Sequence, residues 1–415
     1  MLRRQPNIFK FSKEFSAVLS IVTCAGCGHS SKVMHSSTSA HDMTFMQPGD
    51  MQHEELLFRT PDQPLNPKRL RVGVVGMPNV GKSTLINTLV NRQLLPTSSR
   101  IDTTRANTLA VLTSGETQIE FQDSPGIHNR KKSKKVTGTF RSAHLPAECI
   151  RRADLCMVVA DLTSRRLRNG FLQPELLLHL TKFSHVPAIL VLNKVDCVAD
   201  RLNLLPLINI LTAGFVDGVP CKTVTKDNDR LKPIALPAIE SKVIETIHVK
   251  KTYSSATEVE TANKTEAKLL NQLRSCHGWP NFKDVFVISA LEKEETEKLK
   301  NYLFMKALSE PWKFHSDVLT DASPYDIVTD TMRSAMLENL AEEVPYYTKI
   351  EILDWNQHEN GLQITLELLC RKQSHVLYIK RVAPLLKFAA KRRLLEIFNT
   401  ETFVNLVVSM GAKNW

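Results

Sequence analysis

The chain has 415 residues, 42% hydrophobic and 23% charged, which is too long for one ordinary domain and too apolar for a mainly disordered chain, a collagen-like rod or a coiled coil. No uninterrupted apolar run reaches the roughly 18 to 20 residues that span a bilayer. With 54 Lys and Arg against 43 Asp and Glu the formal net charge is +11, a balance that speaks of polyanionic partners or an organellar address and not of fold.

Residues 1–40 carry Arg3, Arg4, Lys10, Lys13 and Lys32 against one acid, Glu14, with Phe9, Phe11 and Phe15 along an amphipathic stretch. Such Arg- and Ser-rich, acid-poor composition is that of an organellar transit peptide. A secretory signal over Ser16–Ala25 and a plain disordered tail are the rivals. Cys24 and Cys27 have metal-like spacing, but no second pair answers them, so zinc is not assigned. The eight cysteines lie scattered along the chain, the usage of a reducing compartment. Residues 41–68 are polar and Pro-containing and read as a linker.

Arg71-Val-Gly-Val-Val75 is a short β-branched run that predicts a buried strand. It leads directly into Gly76-Met77-Pro78-Asn79-Val80-Gly81-Lys82-Ser83-Thr84 and then an amphipathic helix start. The pattern G-x-x-x-x-G-K-[ST] between strand and helix is a phosphate loop. Its glycines let several N–H groups face inward, and the helix N-terminus adds its positive dipole end. Lys82 would reach the β- and γ-phosphates, and the Ser83 hydroxyl would coordinate Mg²⁺. Asp123-Ser124-Pro125-Gly126 follows the strand-like 118–122. It places Asp123 to hold Mg²⁺ through water and the Gly126 N–H to sense the γ-phosphate.

The base is chosen further on. A buried strand, 188–192, ends in Asn193-Lys194-Val195-Asp196. A carboxylate accepts from both N1–H and the exocyclic amine of guanine, a donor pair that adenine lacks. Asp196 is therefore the base selector, with Lys194 along the ring and Asn193 bracing the phosphate loop. After 284–288, the triplet Ser289-Ala290-Leu291 offers the Ala290 N–H to guanine O6. Predicted strands are 71–75, 108–113, 117–122, 155–161, 188–193 and 284–289, with the ligand at their carboxyl ends. GTP and GDP are thus the expected nucleotides. A chain that needs GTP belongs in an interior compartment, which selects the transit peptide and the mitochondrial matrix.

Residues 197–288 exceed what such a domain needs between its last two motifs, and 216–268 read as a surface insertion. Asn129–Lys135 holds five basic residues in seven, either a solvated loop or a contact for RNA phosphates.

These motifs resemble the Era-like branch of the translation-factor-related GTPases. The likeness rests on Gly76–Thr84, on Asp102-Thr-Thr-Arg105 and on Asp123-Ser-Pro-Gly-Ile127. Met332–Leu340 followed by Glu342-Glu-Val-Pro-Tyr-Tyr347 supports Era itself, and the likeness spans 69–415 apart from the insertion. It implies that Thr104, with Thr103 as the alternative, closes on Mg²⁺ in the GTP state, so that Lys82, Thr104 and Gly126 carry catalysis. It also implies K⁺ held partly by Asn79, and slow hydrolysis raised by K⁺ or a partner, since Ile127 cannot orient water as a Gln does there.

From Tyr325 the pattern predicts a helix (325–341), a strand (346–355), a turn at 359–361, a strand (362–371), helices (about 376–399) and a strand (402–409). In this position it resembles the KH RNA-binding domain of Era proteins. KH domains clamp nucleotides with a Gly-x-x-Gly turn between two helices, but Lys380-Arg381-Val382-Ala383 stands there. Charge argues for RNA all the same. Arg371, Lys372, Lys380, Arg381, Lys387, Lys391, Arg392 and Arg393 fall in one stretch without an acid. They interleave with an expected apolar face of Leu377, Ile379, Leu385, Leu386, Phe388 and Leu394.

The fold class expected is α/β: a P-loop GTPase domain with a mostly parallel sheet (69–315), followed by a smaller α+β KH-like domain (325–415). The resemblance implies a monomeric GTPase that binds mitochondrial small-subunit (12S-type) rRNA and small ribosomal subunit proteins and assists small-subunit assembly. Peripheral contact with the inner membrane on its matrix face is a further expectation. A non-catalytic RNA- or ribosome-binding chaperone with a vestigial GTPase domain is the alternative.

Overall fold

The computed structural model describes residues 55–411 apart from 56, 98–107, 128–144, 200, 202, 222–265, 342 and 359–360. The expected transit peptide, most of the linker, Thr103 and Thr104, the basic run 129–135 and most of the insertion lie outside the described residues. In chain order the elements are β1 (Lys68–Gly76), α1 (Lys82–Val90), β2 (Thr108–Ser114), β3 (Thr117–Asp123), α2 (Leu145–Arg152), β4 (Leu155–Asp161), α3 (Pro174–Lys182), β5 (Ala188–Asn193) and α4 (Leu204–Leu211). A small hairpin of β6 (Phe215–Val216) and β7 (Val219–Pro220) follows, then β8 (Phe282–Val287) and α5 (Lys293–Met305). The chain closes with α6 (Pro324–Asn339), β9 (Thr348–His358), β10 (Gly361–Cys370), α7 (Gln373–Phe398) and β11 (Thr402–Met410).

The first sheet has the order β2-β3-β1-β4-β5-β8. β2 pairs antiparallel to β3, and the remaining neighbours are parallel. Parallel strands covered by helices on both faces need apolar residues at consecutive positions, and every residue of β5 is buried. The predicted strands stand where expected except the last, which runs 282–287. Ile288 and Ser289 therefore lie past its end, in the turn that leads into α5.

Residues 306–320 are stitched back onto this sheet. Arg69 and Leu308 exchange backbone hydrogen bonds at 2.8 and 2.9 Å, and Val111 donates to the Leu319 carbonyl at 2.8 Å. The fully buried Gln118 amide holds the middle of the connector with both its donor and its acceptor. Its Nε2 donates to the Phe314 carbonyl at 3.0 Å, and its Oε1 accepts from the Lys313 and Phe314 N–H groups at 3.1 Å each.

The second sheet is β11-β10-β9, parallel between β10 and β11 and antiparallel between β10 and β9. Helices α6 and α7 seal one face of it around Val328, Met332, Leu366, Ile379, Leu386 and Leu394. The two expected helices with a turn at 380–383 are instead one 26-residue helix with Pro384 inside it. Proline removes the donor for the carbonyl of residue 380 and crowds it, which weakens the helix locally but does not end it. No glycine at 380–383 favours a left-handed turn. Ile379, Leu386, Ala390 and Leu394, all buried, recur at helical spacing and keep the whole length on the sheet.

Candidate active site

The phosphate loop joins the carboxyl end of β1 to α1, and close packing explains its glycines. A Cβ on Gly76 would lie 2.3 Å from the Val159 carbonyl oxygen. Gly81 has φ +93°, and a Cβ there would meet Asn193 Nδ2 at 2.4 Å. Asn79 is also left-handed, at φ 61°, so the loop curls its amides toward one centre as an anion nest does. Lys82 crosses it: its buried Nζ donates to the Met77 carbonyl at 3.1 Å. Burial pushes the Lys82 ammonium below its ordinary value, while Asp123 pulls the other way. Phosphate oxygens arriving there meet a dehydrated cation, for which ionic attraction is strong.

Asp123 ends β3 beside this loop and accepts from the Ser83 hydroxyl at 2.5 Å. A carboxylate and a hydroxyl meeting at the mouth of a phosphate nest are hard oxygen donors of the kind Mg²⁺ takes together with phosphates and water, so the residues present fit that ion. The following segment is laced to β1. Ser124 Oγ donates to the Val74 carbonyl at 2.7 Å, and the Ile127 N–H donates to the Gly76 carbonyl at 2.9 Å. Gly126 rests on Pro78, where a Cβ would come within 2.6 Å of the Pro78 nitrogen. Pro125 and Ile127 are buried, and Ile127 presents no polar atom to a water.

The base end is built around Asn193, which is 1% exposed. Its Nδ2 donates to the Val80 carbonyl at 2.8 Å, and its Oδ1 accepts the Ala290 N–H at 2.9 Å. One amide thus ties the phosphate loop to the Ser289-Ala290-Leu291 turn, the bracing expected of it. The Ala290 N–H, expected on guanine O6, is in this geometry held by Asn193. Lys194 sits at φ 66° and donates to the Asn79 carbonyl and to Asp161 Oδ2, both at 2.7 Å. With that carbonyl taken by an ammonium, K⁺ at Asn79 would fall to its side chain. Asp196 is exposed, and hydrogen bonds from Ser289 and then Cys197 hold its carboxyl below the ordinary range. It is therefore ionised, and its oxygens are acceptors open to solvent. Val195 is buried beneath it, and Leu291 is exposed.

Three supporting residues lie outside the motifs. Asp161 holds Lys194, Thr88 donates to the Ala290 carbonyl at 2.6 Å, and Glu295 accepts the Ser289 N–H at 2.5 Å. An acid closing a strand next to the base site, as Asp161 does, is a signal that sequence carries. Thr88 and Glu295 are ordinary helix residues and give none.

On the second domain the eight basic residues divide. Lys380, Arg381 and Arg392 are exposed and Lys387 half-exposed. Arg371 lies 5.7 Å from the Tyr347 ring, and Lys372 lies 4.0 Å from Glu343. Of the residues expected on RNA, Lys391 pairs at the surface with Glu401 at 2.5 Å and Arg393 pairs with Glu338 at 2.7 Å. The single apolar face is also corrected. Ile379, Leu386 and Leu394 are buried, whereas Leu377, Leu385 and Phe388 are 63%, 50% and 66% exposed. They recur with Arg381 and Arg392 at spacings of three and four residues, which makes the outer face of α7 a mixed basic and apolar strip.

A family model described as "50S ribosome-binding GTPase" matches residues 71–194. The chain is 38% identical over 334 residues to the mitochondrial GTPase Era of Danio rerio, covering 80% of this chain and 72% of that one. It is 30% identical over 379 residues to the mitochondrial GTPase Era of Caenorhabditis elegans, covering 86% and 93%. Among solved structures, Era in complex with MgGDPNP and nucleotides 1506–1542 of 16S ribosomal RNA matches with a TM-score of 0.58 at 21% identity, over 83% of this chain and 94% of that one. An Aquifex aeolicus Era variant bound to GDP·AlF4⁻ matches with a TM-score of 0.57 at 22% identity, over the same shares.

Proposed function

This chain belongs to the Era family of GTPases, and from that premise we propose that it is a mitochondrial GTP switch that binds small-subunit rRNA and assists assembly of the mitochondrial small ribosomal subunit. The observation that carries the reading is the joining, in one chain, of a phosphate loop and guanine-type motifs gathered at one sheet edge to a KH-like domain whose long helix exposes Lys380, Arg381, Phe388 and Arg392. Relatives named as mitochondrial, and an Era structure holding a 16S rRNA segment, support the compartment and the ligand class.

Within the site this chain's residues orient GTP. Loop amides and Lys82 take the β- and γ-phosphates, Asp196 the guanine edge, and Lys194 the ring. Mg²⁺, held with Ser83 and Asp123, would neutralise charge building on the phosphates. With Ile127 buried, the protein brings no side chain from that position to align water. Hydrolysis to GDP and phosphate is therefore slow until K⁺ or a bound partner completes the site. By its likeness to the family, Thr104 would join Ser83 and Asp123 in holding Mg²⁺ when GTP is bound. RNA phosphates lie along the cations of α7 and bases meet its exposed apolar residues. The chain acts as a monomer in the matrix, with ribosomal proteins as neighbours and at most peripheral contact with the inner membrane.

The test is multiple-turnover GTP hydrolysis by the full chain in K⁺ and in Na⁺, with and without the 3′ region of mitochondrial small-subunit rRNA. Turnover raised by K⁺ or by that RNA, and not by scrambled RNA, supports the reading. GTP binding without turnover in any arm would leave a nucleotide-dependent RNA chaperone instead.

A further inference from the structure

The lysine expected along the guanine ring is held at both ends, and the hold on its tip comes from outside every nucleotide motif. Asp161 is the last residue of β4 and lies in register with Asn193 on β5. Its carboxylate has two partners. Oδ1 accepts from the Thr163 N–H at 2.8 Å and from the Thr163 hydroxyl at 2.7 Å, which ties off the turn after β4. Oδ2 accepts from Lys194 Nζ at 2.7 Å, and the same ammonium donates to the Asn79 carbonyl at 2.7 Å. The ion pair is partly withdrawn from water, with 14% of the Asp161 side chain and 34% of the Lys194 side chain exposed. The backbone around Lys194 is fixed as well. Its φ of 66° is uncommon for a residue with a side chain and persists where the surroundings hold it. Leu162 donates to the Asn193 carbonyl at 3.1 Å, and the Val195 N–H donates to the Ile288 carbonyl at 3.3 Å.

We propose that Asp161 is a positioning residue for the nucleotide base: by fixing the Lys194 ammonium between β4 and the phosphate loop, it lays the aliphatic stem of Lys194 as a floor for the ring. The inference rests on Lys194 lying along the guanine. A free lysine side chain has many rotamers, and ordering it when a ring lands on it costs entropy. Asp161 meets that cost before the nucleotide arrives, which is preorganisation. The Asn79 carbonyl alone gives the ammonium one anchor; the second, from a neighbouring strand, sets the path of the stem. A stem covers a ring by apolar contact, which any purine face offers. Asp161 therefore adds affinity for the base without choosing among purines, a choice left to Asp196.

The experiment uses the full chain and the variants Asp161→Ala, Asp161→Asn, Lys194→Ala, the double variant Asp161→Ala/Lys194→Ala, and Thr163→Val. Each is titrated with GDP, with IDP (which lacks the 2-amine) and with ribose 5-diphosphate (which has no base). Asp161→Ala is expected to weaken GDP and IDP by the same factor, about fivefold, the size of one hydrogen bond. Ribose 5-diphosphate should bind as it does to the wild type. Asp161→Asn keeps an oxygen for the ammonium and recovers most of the loss. The double variant should be no weaker than Lys194→Ala, because the two residues act through one contact. Thr163→Val removes only the hydroxyl bond of the turn and should leave GDP affinity unchanged. A merely structural role would weaken ribose 5-diphosphate as much as GDP, and that outcome overturns the inference. Additive losses in the double variant overturn it too, as does a Thr163→Val loss equal to that of Asp161→Ala. If Lys194→Ala binds GDP as the wild type does, the reading of Lys194 along the ring itself fails. If Lys194→Ala is weak while Asp161→Ala is unchanged, only the role of Asp161 falls.

Discussion

Arg393 on α7 grips Glu338 on α6 with both carboxylate oxygens 2.7 Å from one guanidinium nitrogen, while the other nitrogen donates to the Ser334 hydroxyl at 2.7 Å. The Ser334 hydroxyl in turn donates to the carbonyl of Thr97 in the nucleotide-binding domain. Arg393, which sequence assigns to RNA, thus clasps two helices of the second domain, and its partner Ser334 reaches the first. Its side chain is 21% exposed and that of Glu338 32%, so solvent screens the pair in part. Arg393→Ala is expected to lower stability by about 1 kcal/mol and to leave the salt slope of RNA binding unchanged. Urea unfolding together with an RNA titration across salt checks both. A slope reduced by about one ion would return Arg393 to the RNA set.

Lys82 is the side chain on which the phosphate site depends most. Its Nζ is buried, satisfied by one carbonyl, and set beside Asp123. Lys82→Ala removes the buried ammonium of the loop, and it is expected to abolish measurable GTP binding with little change in melting temperature. Gly81→Ala should do the same by another route, since its Cβ would displace the Asn193 amide. Fluorescent-nucleotide titration of both variants is the check; wild-type affinity in Lys82→Ala would overturn the assignment of the site.

The first domain was legible because its chemistry is local. Each motif sits at a strand end, and strands such as Ala188–Asn193 are unbroken apolar runs with no competing reading. The supporting contacts were not legible, since Glu295 and Thr88 act across 6 and 202 residues of sequence and leave no pattern. In the second domain the element order was right, but two inferences drawn from one helix failed for related reasons. A Gly-x-x-Gly turn would divide α7 at 380–383, whereas burial of Ile379 and Leu386 carries the helix through Pro384. The apolar residues then fell on two faces, which only the register of an unbroken helix separates.

Two buried thiols give an alkaline signature. Cys156 in β4 is fully buried and its thiol is pushed up to about 12 by desolvation; Cys149 is pushed up as well, first by burial. The folded state holds these protons more tightly than the unfolded chain, where a thiol titrates near ~8.5. Their contribution is therefore intact below that value and is lost as pH rises from it toward the folded value. The urea midpoint should fall between about pH 8.5 and 10, and Cys156→Ala should make that fall shallower. Equal slopes for the two proteins would show that this thiol does not contribute.

The outer face of α7 separates charge from contact. Lys380 and Arg381 stand one turn above Leu385 and two above Phe388, and none of the four is buried. If RNA lies along this face, the cations act through counterion release, which depends on salt and tolerates any sequence, whereas the ring acts by stacking, which depends little on salt. Charge reversal of Lys380 and Arg381 should thus lower affinity strongly at low salt and flatten the salt dependence by roughly two ions. Phe388→Ala should cost about 1–3 kcal/mol at every salt concentration without changing the slope. Because Phe388 is 66% exposed, its removal should leave the melting temperature alone, so lost affinity cannot be laid to lost fold. Binding of the full-chain variants to the 3′ region of small-subunit rRNA across a salt series distinguishes the two contributions. An unchanged slope in the charge-reversed protein would move the RNA off this helix and onto another surface of the chain.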